Sequence, residues 1–416
     1  MQNNTLKGTH IGSIIFHFTL TRNSIILTVC CILGLIVISC VRDDISSVDY
    51  YKDAPNVGKT EICITKIKLN PVKVNSMETS YVGYFWLNRD TLYYSDKYYN
   101  YIFSLRPDGS IIKRNVGRGR GPNEVPDFSI SVPFGNGYYL HSDNAVAYLF
   151  NNKWTLTGHV PINWGIFNPI IIRRINNPNP AEILFYGDNT FMTDHIQQWD
   201  SIHVAFYVDI DLPTLNGYMN AEHYYKYSRI IALVNVHTGE VERIFGRRSP
   251  VFLEKSNIPN MDYIGFAQVR DTVLVSFFPD STVYMLDKHN DCAIGKFGRQ
   301  GRNMNTAYVR THTISEADER RWTDWETFGY YTYLKYDEKR QLLFRGYKQG
   351  AHSQYDGLQI YKNQTLLGDV DVPKGFYIVG YCNDQLIAAI EDEEINDLAL
   401  YFYMINLEYD YTIARE

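Results

Sequence analysis

Three short motifs set arginines beside glycines: Gly117-Arg118-Gly119-Arg120, Gly246-Arg247-Arg248 and Gly298-Arg299-Gln300-Gly301-Arg302. A guanidinium is a planar fork of donors that fits carboxylates and phosphates, so several brought together would bind an anion. The same fork braces carbonyls and acids inside a fold, and the motifs alone leave both uses open. The candidate anion-binding residues are Arg118, Arg120, Arg247, Arg299 and Arg302. Gly117, Gly119 and Gly121 do not read as a phosphate-cradling loop, because Pro122 follows and no amphipathic helix opens there. Asp194, His195, Asp200, His203, Asp209 and Asp211 gather His and Asp in one stretch, yet no HxH or HxxxH spacing supports a metal, and none is expected. The run Glu391 to Glu394 lacks the glycine and alternating oxygens of a calcium loop and reads as a solvated acid face. There is no GxSxG or SxxK nucleophile motif, so no catalytic residue is assigned and no cofactor is expected.

The elements that must position these residues are strands. Of the 416 residues, 34 are Tyr, 21 Phe and 6 Trp, which favours sheet over helix, and 45% hydrophobic content is ample for a core. The 40 Lys+Arg stand against 46 Asp+Glu, a net charge of −6 that disfavours a nucleic-acid partner.

Residues 1–39 read as an export leader: Lys7 and Arg22 precede the apolar run Ser24 to Ser39, too short for a comfortable membrane span. The run ends in Val37-Ile38-Ser39-Cys40, which looks like a bacterial lipobox, with Cys40 the lipidated residue. Residues 40–60 then read as a polar tether between lipid and fold, carrying the protein on the outer membrane at its periplasmic or cell-surface side. Cys63, Cys292 and Cys382 are thinly spread; Cys63 and Cys382 would pair only if the chain ends meet, and buried free thiols are the expectation.

Residues 61–416 carry an internal echo. An offset of 181 places Asp90-Thr91 on Asp271-Thr272, Ser95 on Ser276, Leu105 on Leu286 and Gly117-Arg118 on Gly298-Arg299 without a gap. Ile231 to Val234, Thr238-Gly239 and Val241 to Arg247 repeat its second half. The unit reads as four antiparallel strands, Val82 to Leu87, Thr91 to Ser95, Tyr101 to Leu105 and Ile111 to Val116. Such a unit buries both faces only between neighbours of its own kind, which implies an all-β, six-bladed β-propeller; the spacing is also compatible with seven blades. Two β-sandwiches would supply the strands without explaining the echo. Further blades are expected near 130–160, 168–246, 263–298, 330–370 and 376–416, with an insertion near 194–222. The early strand Ile62 to Leu69 is expected beside the C-terminal strands, closing the ring. One loop helix is expected along SEADERRWTDWETF, capped by Ser315, with Trp322, Trp325 and Phe328 forming a packing stripe or a sugar-stacking platform.

The segment Val116-Gly-Arg-Gly-Arg-Gly-Pro-Asn-Glu124 resembles the Gly-Arg-x-Gly-x-Gly-Pro-Gly-Glu-Phe junction of six-bladed NHL- and TolB-like propeller lipoproteins of Bacteroidetes, with Asn123 in place of a glycine and Val125-Pro126 in place of the aromatic. With the lipobox and the Gly-Arg echoes, the chain is similar to a Bacteroidetes lipoprotein family of unknown function. The resemblance implies the fold and a cell-surface address, and brings no catalytic residues.

Three functional readings follow. The first is an envelope-anchored module binding an anionic small molecule, a glycan or an envelope protein, with its arginines on one channel mouth. The second is a glycan hydrolase or lyase with acids at that mouth. The third is a scaffolding subunit of an envelope complex, marked by an exposed apolar patch.

Overall fold

Strand-forming residues alternate between the two faces of each short run, and tight turns break the runs at residues that tolerate a left-handed backbone. Arg89 (φ 53°) turns the first hairpin, Asn100 (φ 56°) the second and Gly109 (φ 81°) the third. At Gly109 a Cβ would lie 2.2 Å from the Lys73 carbonyl oxygen, so no larger residue fits that approach. The computed structural model describes residues 45–75, 78–165, 178–189, 193–210, 212–391 and 399–410. The leader, Cys40, Asp211 and acids 392–394 lie outside the described residues.

The strands form six antiparallel units of four, a six-bladed β-propeller. Blade 1 runs Gly83–Asn88, Thr91–Asp96, Tyr101–Leu105 and Ile111–Arg118 from its inner to its outer strand. Blade 2 is Ile130–Phe134, Gly137–His141, Val146–Phe150 and Leu156–Pro161. In blade 3 the inner strand is split: Tyr186–Asp188 and Ile196–Gln198 both pair with His203–Ile210, which is followed by Ile231–Asn235 and Val241–Phe245. Blade 4 is Ile264–Val269, Thr272–Phe277, Val283–Asp287 and Ala293–Phe297, so Thr91 and Thr272, three blades apart, begin equivalent strands. Blade 5 is Tyr330–Asp337, Leu342–Lys348, Tyr355–Lys362 and Thr365–Pro373.

Blade 6 takes three strands from the end of the chain, Phe376–Cys382, Gln385–Ile390 and Tyr401–Tyr409, and its outer strand from the beginning. Lys59–Lys73 runs antiparallel to Tyr401–Tyr409 from Ile64 to Lys73, which closes the ring as expected. Its first residues also pair in parallel with Thr365–Pro373, joining blades 5 and 6 into one eight-stranded sheet.

Neighbouring blades share cores. One face of blade 1 (Tyr84, Trp86, Tyr93) packs on Tyr138, Leu140 and Trp154 of blade 2, and the other (Phe85, Tyr94, Phe103) on Val379, Ile387 and Phe402 of blade 6. Inner strands have an unpaired edge along the central channel, and tyrosines satisfy part of it. The Tyr84 hydroxyl accepts the Ser131 N–H at 2.6 Å, Tyr377 accepts the Phe85 N–H at 2.9 Å, and Tyr333 accepts the Ile378 N–H at 3.1 Å. Each joins one inner strand to the next.

Three local expectations change. From Ser46 on, the stretch read as tether is part of the fold: helix Ser47–Lys52 is capped by Ser46, buries Tyr50 and Tyr51, and leads into the closing strand. The polar composition hid this because two tyrosines carry the burial. The loop helix spans Ile314–Thr327, and Thr313 caps it by accepting the Glu316 N–H at 3.2 Å, two residues earlier than Ser315. Cys63 and Cys382 are buried and free, as expected. No helix among the described residues is long and apolar enough to cross a membrane.

Candidate functional site

The Gly-Arg motifs do occupy the crossings from one blade to the next, but they do not build one mouth. Arg247 is 1% exposed. Its Nη1 donates to the Gly246 carbonyl at 3.0 Å and lies 3.5 Å from Asp291, its guanidinium sits over the Tyr50 ring, and its own carbonyl accepts the Tyr51 hydroxyl at 2.5 Å. The arginine therefore braces helix Ser47–Lys52 against blades 3 and 4, and its removal from the anion-binding set corrects the sequence expectation. Neighbouring Arg248, fully buried, bridges Asp209 and Asp262 at 2.6 Å each and donates to Ser228 Oγ at 2.9 Å and to the Tyr224 hydroxyl. Arg302 is engaged by Asp371 at 3.0 Å and Asp369 at 3.7 Å.

Arg118, Arg120 and Arg299 remain exposed. The first two lie in the crossing from blade 1 to blade 2, and Arg299 in that from blade 4 to blade 5, three blades away in a ring of six. Opposite sides of a propeller do not share a small ligand. At the first crossing the glycines make room for Glu124, whose Oε2 accepts the Gly121 N–H at 2.9 Å and would lie 2.1 Å from a Cβ on Gly119.

The His/Asp residues separate into three groups. His203 sits between Asp200 and Glu242, at 2.8 Å from each, on the rim of blade 3. Burial works against its imidazolium, but the two carboxylates outweigh it and hold its pKa above the usual value. Second, Arg248 ties down Asp209 and Asp262, while His141 bonds Asp188 at 2.6 Å. Third, His195 is buried, with Nδ1 at 2.9 Å from the Asn189 carbonyl and Nε2 at 2.9 Å from that of Ile264. Burial lowers its pKa to about 4, against the pull of both carbonyls. By tying the break in blade 3's inner strand to the inner strand of blade 4, His195 fixes the residue before it.

That residue, Asp194, begins the site sequence reasoning missed. It lies in the short turn Thr193–His195 within the split inner strand of blade 3. Its Oδ2 is buried without a hydrogen-bond partner. Burial pushes the carboxyl up to about 7, against weaker pulls from its own N–H, the Lys335 ammonium and the Leu334 N–H. Lys335 is on the inner strand of blade 5, where a bulge between Tyr331 and Leu334 shifts the register. Its side chain is solvent-accessible yet enclosed by protein, and burial lowers its pKa while Asp194 raises it.

Lys335 Cε would lie 3.8 Å from a Cβ on Gly380, and Leu87 Cδ1 3.2 Å from it. Lys335 of blade 5 and Leu87 of blade 1 thus both approach Gly380 of blade 6, and Asp194 of blade 3 lies near enough to Lys335 to act on its charge. No sequence signal marks Lys335, and Asp194 was read only as a metal candidate. Among the described residues, no group of three or more His, Cys, Asp or Glu side chains is arranged to hold a metal ion.

The Trp-bearing helix lies in the crossing from blade 4 to blade 5. Trp325 donates to the Asn260 carbonyl at 2.7 Å and packs edge-on to Tyr263, whereas Trp322 is 66% exposed. One Trp of the expected stripe packs and the other faces solvent.

Solved structures share this fold. A member of the DUF4221 family from Bacteroides vulgatus matches with a TM-score of 0.60, 10% identity, and coverage of 83% of this chain and 99% of that one. An exported-protein candidate from Bacteroides fragilis matches with a TM-score of 0.50 and 11% identity over 84% of this chain and 98% of its own. At these identities the likeness is one of fold. No family model matches the chain, and no curated protein matches its sequence.

Proposed function

We propose that this protein is an envelope lipoprotein whose propeller binds a small polar ligand in its central channel. The carrying observation is the Asp194 carboxyl oxygen, buried without a hydrogen-bond partner beside the inner strand of blade 5 that carries the solvent-accessible Lys335. A buried polar atom without a partner costs stability, and a ligand supplying that partner recovers the cost as binding free energy. The glycan-hydrolase alternative needs two carboxyls free to act together, whereas Asp188, Asp209 and Asp262 are each bonded to His141 or Arg248.

The test is saturation-transfer NMR on the purified full chain with a mixture of amino acids, uronic acids and neutral oligosaccharides. At least one saturable binder, lost in Lys335→Met, is expected. A chain that binds none, or binds equally after the substitution, overturns the reading.

Support for the anchor is the apolar run ending in Ser39-Cys40, together with the exported-protein candidate among the structural neighbours. In cells fed a palmitate analogue, the Cys40→Ala chain should remain an unlabelled precursor. Unchanged labelling removes the lipoprotein assignment.

A further inference from the structure

Asp194 and Lys335 influence one another electrostatically, yet they form no ion pair or hydrogen bond with each other. Asp194 sits in the break of blade 3's inner strand and Lys335 on the inner strand of blade 5, with blade 4 between those two blades in the ring. Both are held from behind. His195 fixes Asp194 through the Asn189 and Ile264 carbonyls, and the aliphatic stem of Lys335 passes alongside Gly380 of blade 6. The Asp194 Oδ2 atom is buried without a partner, and the Lys335 ammonium forms no ion pair among the described residues. A single positive or negative ion would complete only one of them.

We propose that the channel ligand is a zwitterion, a small molecule bearing an ammonium group that Asp194 accepts and a carboxylate that Lys335 holds. This rests on the channel-binding reading above and narrows it to a ligand class. The two protein groups act as a ruler: they select the separation between the ligand's charges, because strands of a closed ring cannot slide to accommodate a shorter or longer one. Each charge of the ligand gains a charge-assisted hydrogen bond in an enclosed site, where such bonds are stronger than in open water.

The experiment is isothermal titration of the full chain with glycine, β-alanine, γ-aminobutyrate and δ-aminovalerate, in which successive methylenes lengthen the spacing between charges. Acetate and methylammonium serve as single-charge controls. One member of the series should bind at least about tenfold more tightly than either control, with weaker binding on both sides of that length. Asp194→Asn and Lys335→Gln should each reduce the affinity for that member at least about tenfold. The series on the unaltered protein decides the matter even if a variant fails to fold. Acetate binding as well as the best zwitterion overturns the proposal in favour of an anion site at Lys335, and methylammonium doing so overturns it in favour of a cation site at Asp194. A flat series accompanied by a neutral ligand that depends on Lys335 overturns the zwitterion while channel binding stands. Absence of any channel ligand overturns both.

Discussion

Arg247 follows a glycine in sequence as Arg118 and Arg299 do, yet it and Arg248 beside it are sealed inside the protein while the other two are in water. The difference predicts opposite mutational outcomes. Arg248→Met leaves Asp209 and Asp262 without their shared cation and should cost about 3–5 kcal/mol, the usual penalty for breaking a buried pair. Arg120→Gln, on the exposed crossing, should change stability by less than about 0.5 kcal/mol. Denaturant midpoints of the two variants check both. At the same scale, Asp194 and His195 oppose each other in their response to pH. Asp194 has a folded-state pKa near 7, raised from the usual carboxyl value, so the folded state binds its proton more readily and the group's contribution falls as pH rises toward 7. His195 has a folded-state pKa near 4, lowered from 6.5, so its contribution falls as pH drops from about 6.5 toward 4. Removing the acid with Asp194→Asn leaves the histidine uncompensated. The variant should lose stability on acidification from pH 6.5 to 4.5 more steeply than the unaltered protein, by up to about 1.4 kcal/mol per pH unit for one proton. Equal slopes in urea titrations at several pH values would show that Asp194 does not carry the raised affinity for its proton.

Among the elements, the helix Ile314–Thr327 illustrates how one stripe divides. Trp325 and Ala317 face inward, and the Asn260 amide donates to the Ala317 carbonyl at 2.9 Å and to Asp324 Oδ2 at 3.0 Å, so this helix is fixed through its neighbour's side chain as well as by packing. Trp325→Ala should cost about 2 kcal/mol or more through lost packing and an unpaired Asn260 carbonyl. Trp322→Ala should be neutral within about 0.5 kcal/mol, since its ring is exposed. Thermal or denaturant midpoints that moved together would contradict this division of roles. The N-terminal helix belongs to the same scale: its two tyrosines reach Arg247 and Asp291, so a stretch of polar composition becomes a clamp across the crossing between blades 3 and 4.

For the molecule as a whole, ring closure couples chain ends that are far apart in sequence. The outer strand of blade 6 is Lys59–Lys73, and its loss exposes the full edge of Tyr401–Tyr409 and the core residues Ile387 and Phe402 behind it. Deleting residues 61–75 should therefore lower the thermal midpoint sharply and make the C-terminal strands protease-sensitive. A soluble deletion with an unchanged midpoint would show that this strand does not hold the ring shut. Deleting only residues 46–54 should cost less and leave unfolding cooperative, because the closing strand and its register survive.

Much of this architecture was written locally. Alternation in Thr91–Asp96, the turn at Arg-Pro-Asp-Gly-Ser and the echo that carries Thr91 onto Thr272 depend on neighbours a few residues away, so strand positions, blade number and the closing role of the early strand were legible. The crossings were legible too, through their Gly-Arg motifs. What the motifs lacked was their cover: helix Ser47–Lys52, distant in sequence, lies over Arg247 while Arg118 stays exposed, and so the two diverged despite like surroundings in sequence. Asp194 and Lys335 belong to no motif at all. Asp194 lies at a break in one inner strand and Lys335 beyond a bulge in another, and only the folding of separate blades into one ring brings the two near each other.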